Sequence, residues 1–533
     1  MTSTTSLSPP PTRTYDIIGF GDEVPGILAL VSASREFHRR TQRKPRSLLM
    51  FKSNSRWGIG GHLVRGGLAY LDRSSVPAEV RQAHGLPTFG DPCFLYKEFL
   101  QRSQVQQIAL HPTKADAALR TMLQDANVDI ISQLEIRTVL KDGVRIRGIQ
   151  TNRGETYLGR YFIDSTVNGE LAQLAGVPKL RGFETFGLPE SELPVTLVFE
   201  TEGITPQRLK EIELNFLKRL ANPADSAAQN FILMAAGKNE RFAEQLRLEM
   251  QESLNRSRTL HIGQDFIDVR CRALSIAFHA FRGRALSLKG SGFILDQANI
   301  AILAPNRLSW NALMFFTTGT QAETLARAAA RPTPAMLDEI KHLDRWFKSL
   351  GATALRPYPE LYIRHAGNIT NVVNPLSGAE MLQGGVASSE ALGTFGYHLD
   401  VRGGIDGLGP KALEKGITSI SFHHPPLFNI GFQHALVQSV PNLAVISPGS
   451  GFEGYACAAG RIIEFNAAVG QGVGIAVAIA LQSGRNLASV RNLEVRKVLE
   501  QTNQLTQIYG RSQPVEATRL AKFETTLGDV AIA

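Results

Sequence analysis

Gly19, Gly21 and Gly26 close a short apolar run in the segment GFGDEVPG (19–26), and a helical pattern follows. Glycines placed there let a backbone approach a pyrophosphate. The N–H groups and dipole of the following helix then hold its charge. The spacing departs from GxGxxG, because Val24 stands where the third glycine belongs and Gly26 comes two residues later. Asp22 and Glu23 also put negative charge where phosphate oxygens would lie. The turn reads equally as a dinucleotide turn or as an ordinary strand–helix turn. At the end of the next apolar run a ribose-binding acid would be expected, but the residue is Lys52. Lys52 suits an additional phosphate, as in an NADP-type nucleotide; the plainer reading is a solvated lysine.

Three further residues could do acid–base or anion chemistry. His398 and Asp400 are two apart on an expected strand, so they share a face. They read as a general acid–base pair or as structural hydrogen-bonding partners. Arg461 precedes a small-residue helix and reads as an anion contact or as a helix-start salt bridge. The pair His423-His424, followed by Pro425-Pro426, reads as a surface loop. No metal site is expected, because the three cysteines are far apart and no carboxylate pair supports the histidines. Cys457 reads as a small buried side chain, and no GxSxG elbow is present.

The elements that must position these residues follow a recognisable order. YDIIGFG (15–21) reads as a strand, GILALVSASREFH (26–38) as a helix, and SLLMF (47–51) as a second buried strand. This is the βαβ pattern of a parallel sheet. RRTQRKPR (39–46) reads as a basic loop between them. A helix is expected over 112–126, then strands and hairpins over 127–166 with turns at Asp142-Gly143 and Arg153-Gly154. Residues 205–258 read as helical, with Leu209, Ile212, Phe216, Leu217 and Leu220 on one face. Strand-like runs occupy 291–317. A helix over 334–349 gathers Leu337, Ile340, Leu343 and Phe347. The chain then passes through loops to a strand at 442–446 and a small-residue helix. The expected class is α/β, a Rossmann-like parallel-sheet domain interrupted by an α+β region.

Composition sets the outer limits. The chain has 533 residues, 43% hydrophobic and 20% charged, which excludes a disordered, collagen-like or disulfide-scaffold protein. The net charge of +9 is spread along the chain, which suits an anionic small molecule better than nucleic acid. The first eleven residues, mostly Ser, Thr and Pro, read as a flexible tail. Residues 465–481 are apolar but short and interrupted, so they read as a buried helix and not as a membrane segment. A cytoplasmic location is expected, and the oligomeric state stays open.

Several segments together resemble the FAD-dependent oxidoreductases of the glutathione-reductase-like superfamily. FIDSTVNGELAQLAGVP (162–178) is similar to that family's strand, turn and helix, with Ser165 and Thr166 in the turn. WGIGGHLVRGGLAYLD (57–72) supplies the glycine pair Gly60 and Gly61, and the segment leading to Ile136 resembles the adenine side. NLAVISPGSGFEGYACAAGRIIEFNAAVGQGVGIAVAIA (442–480) resembles the terminal strand and helix, with Arg461, Gly470, Gln471 and Gly474 matching. The resemblance implies FAD as cofactor, contacted by Gly19, Gly21, Gly26, Lys52, Gly60, Gly61, Ile136, Ser165, Thr166, Gly470 and Gln471. It implies hydride transfer between flavin and a small organic substrate, with His398, Asp400 and Arg461 as catalytic candidates. It divides the chain into a tail (1–13), a first FAD-binding part (14–185), an inserted substrate or cap region (186–354), a returning part (355–490) and a C-terminal helix and tail (491–533). The departures at Val24, Lys52, Gln433 and Ser447-Pro448-Gly449 also fit an alternative: a binding or scaffold protein that kept the fold and lost the flavin.

Overall fold

Strand β1 (Ile17–Phe20) runs into helix α1 (Val24–Thr41), and β2 (Ser47–Phe51) returns parallel beside β1. This computed structural model describes residues 11–253, 256–417 and 424–528. Helix α2 (Pro112–Asp125) leads to β3 (Val128–Ser132), which pairs parallel with β2. An antiparallel excursion follows through β4 (Ile136–Asp142), β5 (Arg145–Thr151) and β6 (Thr156–Leu158). Then β7 (Tyr161–Asp164) joins the free side of β1. The residues of β1, β2 and β7 are all buried, as strands covered on both faces require.

The chain then leaves to build a separate antiparallel sheet. Four of its seven strands are β8 (Phe199–Glu202), β9 (Phe293–Ala304), β10 (Arg307–Phe315) and β11 (Ala354–Pro357), ordered β9-β10-β8-β11. Between β8 and β9 lies α3 (Pro206–Leu220), which buries Leu209, Ile212, Leu217 and Leu220, with Phe216 half-buried. Helices α4 (Gly319–Arg327) and α5 (Pro334–Ser349) follow β10. Helix α5 packs Phe347 against Phe199 and Trp310. Leu337, expected on its buried face, is exposed, and Met336 takes the inward position.

The chain re-enters the first core through β12 (Leu443–Val445), which completes the parallel sheet in the order β12-β7-β1-β2-β3. The small-residue helix α6 (Ile463–Ser483) then crosses α1. It is long and apolar enough to span a membrane, yet it lies inside the fold from Ile463 to Leu481. A Cβ on Gly470 would stand 2.4 Å from the Pro25 carbonyl oxygen, and one on Gly474 2.4 Å from that of Ala29. The glycines are therefore what let the two helices touch.

Three expectations are corrected. The stretch 39–46 is not all loop, because α1 continues to Thr41 before its left-handed cap at Gln42. Residues 397–400 form no strand; pairing with Leu427–Asn429 stops at Gly396. The C-terminal segment carries two helices, Asn492–Gln501 and Pro514–Gly528, and the second buries Leu520 and Phe523 in the main core. Of the histidine pair, His423 lies outside the described residues.

Candidate cofactor crevice and buried polar cluster

The C-terminal ends of β1, β2 and β7 open into a crevice lined by Gly21, Lys52, Ser165 and Thr166. This is where an open α/β sheet binds nucleotides. Gly21 has φ +93°, and a Cβ there would press on the Ser165–Thr166 peptide at 2.6 Å. Ser165 Oγ donates to the Gly21 carbonyl at 2.7 Å, and a Cβ on Gly26 would overlap that same hydroxyl. Gly19 faces Leu30 of α1. Thr166 shapes the turn after β7, where its hydroxyl donates to Asp164 Oδ1 at 2.6 Å and accepts from the Glu170 N–H. Burial pushes the Asp164 carboxyl up to about 6.

The phosphate position is filled by protein. Asp22 Oδ2 accepts from the Gly60 N–H at 3.0 Å and lies 3.4 Å from that of Gly61. Arg65 donates to the same carboxylate at 2.8 Å and, through Nε, to Glu360 at 2.7 Å. Burial by itself would raise the Asp22 carboxyl, but the Arg65 guanidinium and the two glycine N–H groups hold it below the usual range. Glu23 accepts from the His62 N–H at 3.2 Å and contacts His62 Nδ1 at 2.5 Å. The loop donors at Gly60, Gly61 and His62 and the Arg65 guanidinium are thus spent on two internal carboxylates. What is left is a cavity of about 80 Å³, well below the roughly 300 Å³ at which small-molecule pockets begin.

Lys52 is not a solvated lysine. Its ammonium lies 2.7 Å from Glu170 and donates to the Arg327 carbonyl at 2.8 Å, which pins α4 over the crevice. Ile136 begins β4 and packs beside the sheet without lining the crevice. Gly470 and Gln471 sit in the third turn of α6. Gln471 accepts from the Leu95 N–H at 2.9 Å and donates to Gln504, so it ties helices together.

A second constellation lies before the N-terminal end of α6. Arg461 is 4% exposed and donates to Asp400 at 2.9 Å and to Tyr362 Oη at 3.4 Å. Asp72 is 3.9 Å away, and the guanidinium lies 5.7 Å from the Tyr397 ring centre. Arg364, also buried, donates to the Pro194 carbonyl and Thr196 Oγ1 and lies 4.6 Å from the Tyr362 ring centre. Burial pushes Arg364 down to about 10. His62 stacks on Tyr362 at 5.0 Å, which links this cluster to the crevice. The expected His398–Asp400 pair does not form. Asp400 reaches Arg461, while His398 is exposed, with no ion pair or hydrogen bond among the described residues. Asp72, Tyr362, Tyr397 and Arg364 lie far from Arg461 in the chain, and no spacing in the sequence marks them as its neighbours.

A family model described as FAD dependent oxidoreductase matches residues 58–499. The chain belongs to the FAD dependent oxidoreductase family. FAD is the cofactor of that family, in agreement with the sequence resemblance, and the parallel sheet is the frame expected for it. The match begins after the β1–α1 turn. Tested on the residues present, this member divides: the frame fits FAD, but Asp22 and Glu23 at the phosphate position do not.

Solved structures are similar only at low levels. A geranylgeranyl bacteriochlorophyll reductase-like protein from Thermoplasma acidophilum has 9% identity and a TM-score of 0.34, over 98% of this chain and 89% of that one. PqsL of P. aeruginosa has 12% identity and a TM-score of 0.33, over 97% of each chain. L-Proline dehydrogenase from P. horikoshii has 10% identity and a TM-score of 0.33, over 93% of this chain and all of that one. No curated protein matches the chain.

Proposed function

We propose that the chain is a cytoplasmic FAD-dependent oxidoreductase that transfers hydride between the cofactor and a small organic substrate. Residues 14–185 and 355–490 form the FAD-binding part, and 186–354 the substrate region. The observation that carries this reading is Arg461, a buried cation among Asp72, Asp400, Tyr362 and Tyr397 beside the N-terminal end of α6. Asp400 and Asp72 already share its charge, so a bound anion would have to take the place of the exposed Asp400 carboxylate on the guanidinium. FAD would supply the redox chemistry when bound. Arg461 orients the bound molecule, and Asp400, half-exposed on Arg461, is the candidate for proton exchange with solvent.

A second reading is favoured by one observation, the pair of carboxylates at the phosphate position. It is a binding protein that keeps the fold without the flavin. The visible absorption spectrum of the purified protein, before and after incubation with FAD, separates the two. A flavin spectrum released on denaturation, followed by anaerobic bleaching with a substrate panel, supports the enzyme. In that case Arg461→Gln keeps the pigment and loses bleaching. A protein that stays colourless after incubation supports the binding protein.

A further inference from the structure

A cavity larger than the crevice is a cleft of about 400 Å³ on the other side of Arg65, between the loop after β2, the start of α2 and the edge of the second sheet. Its size lies within the range of small-molecule sites, and junctions between two packed units are where such sites concentrate.

The chemistry of its walls is specific. Trp57 stands at the mouth, 51% exposed, while Trp310 and Trp346 are buried elsewhere. Pro357 and Pro359 form part of the opposite wall. The charges along the cleft are spent internally. Arg307 is held by Glu200, Arg356 by Glu202, Arg65 by Asp22 and Glu360, and Asp116 by Arg120. Tyr358 also donates to Glu200. Burial and the nearby Arg307 push the His111 imidazole down, which keeps it neutral at pH 7. Arg56 differs. It is exposed next to Trp57 and has no ion pair among the described residues. The cleft is therefore lined by one guanidinium without an ion pair and one exposed indole, on consecutive residues.

We propose that this cleft is a binding site for a planar aromatic monoanion, whose ring lies on Trp57 and whose carboxylate pairs with Arg56. A guanidinium binds a carboxylate through two parallel N–H donors. An indole face buries ring area and adds an offset-stacking preference. A second negative charge would find no further unpaired cation among the residues that line the cleft. The site does not depend on flavin, because Arg65 and its two carboxylates separate it from the crevice.

The test is calorimetric titration of the full-length protein, with no added FAD, using 2-naphthoate as the probe and 2-naphthylmethanol as its uncharged counterpart. One equivalent of naphthoate is expected to bind, about tenfold tighter than the alcohol, as one charge-assisted contact implies. Arg56→Gln should remove that preference and leave alcohol binding unchanged. Trp57→Ala should weaken both probes. Both residues are exposed, so both variants keep the fold. No naphthoate binding up to about 1 mM, or a preference that survives Arg56→Gln, overturns the proposal.

Discussion

Arg65 holds Asp22 through an Nη2–Oδ1 hydrogen bond of 2.8 Å, and both side chains are almost wholly buried. Because Arg65 also holds Glu360, one guanidinium ties the turn after β1 to the segment that returns from the second sheet. Removing one partner of a buried ion pair leaves the other charge uncompensated, at a cost of about 3–5 kcal/mol. Asp22→Ala is therefore expected to lower the urea midpoint strongly with an unchanged slope. The Asp22 carboxyl is held below its ordinary value, so its contribution is present above the ordinary carboxylate range and is lost as pH falls through the depressed value. Asp22→Asn should show a flatter acid limb than wild type in unfolding below about pH 4. Equal limbs would show that the carboxylate is not the group holding Arg65.

A titration of opposite sign is expected at the C-terminus. Glu524, on the helix Pro514–Gly528, accepts from the Tyr455 N–H at 2.8 Å and the Ala379 N–H at 3.3 Å. Burial pushes its carboxyl up to about 7. A raised group contributes stability that is full below its unfolded value and lost as pH rises through the folded one. Glu524→Gln, which cannot ionise, should match wild type near pH 4 and be more stable at pH 8, by up to about 3 kcal/mol. Thermal melts at the two pH values check this, and an equal difference at both would sink it.

The glycines of α6 can be tested as packing residues. Gly470→Ala places a methyl 2.4 Å from the Pro25 carbonyl oxygen, which is backbone and cannot rotate away. Overpacking of this kind costs about 1–3 kcal/mol. Gly484, at the C-terminal cap of the same helix, has open space beside it but φ +71°, so an alanine there is strained without any clash. Urea unfolding of both variants separates crowding from backbone strain. Only Gly470→Ala should also shift Trp-independent probes of the α1–α6 contact, such as the amide exchange of Ala29 and Gly474.

Local patterns in the sequence foretold the parallel sheet well. The apolar run SLLMF and the 3.6-residue period over 334–349 each specify an element by themselves, and both formed as read. The site was less legible because it is built from distant residues. Lys52 meets Glu170, and Arg461 meets Asp72 and Asp400, through contacts that no local spacing records. Gly470 looks the same in a sequence whether it admits a cofactor or a neighbouring helix, and here a helix fills the space. His398 and Asp400 would share a face only on a strand, and their segment forms none. The negative charge of Asp22 and Glu23 was visible from the start, but its partners Arg65 and His62 were not.

The acid pair leads to a graded prediction for cofactor uptake. In the described conformation the N–H groups of Gly60 and Gly61 donate to Asp22, and that of His62 donates to Glu23. A pyrophosphate entering the crevice must displace both carboxylates and then lie beside them, which like charge opposes. Glu23→Ala frees one backbone donor and leaves the Asp22–Arg65 pair whole. Asp22→Asn with Glu23→Ala also removes the second negative charge while keeping an acceptor for Arg65. FAD affinity, read by quenching of flavin fluorescence, should rise in that order, by tenfold or more for the double variant, the effect of about 1.4 kcal/mol. Circular dichroism confirms that each variant is folded. If both folded variants bind FAD no better than wild type, the carboxylates are not what closes the crevice, and α4 pinned by Lys52 becomes the element to move.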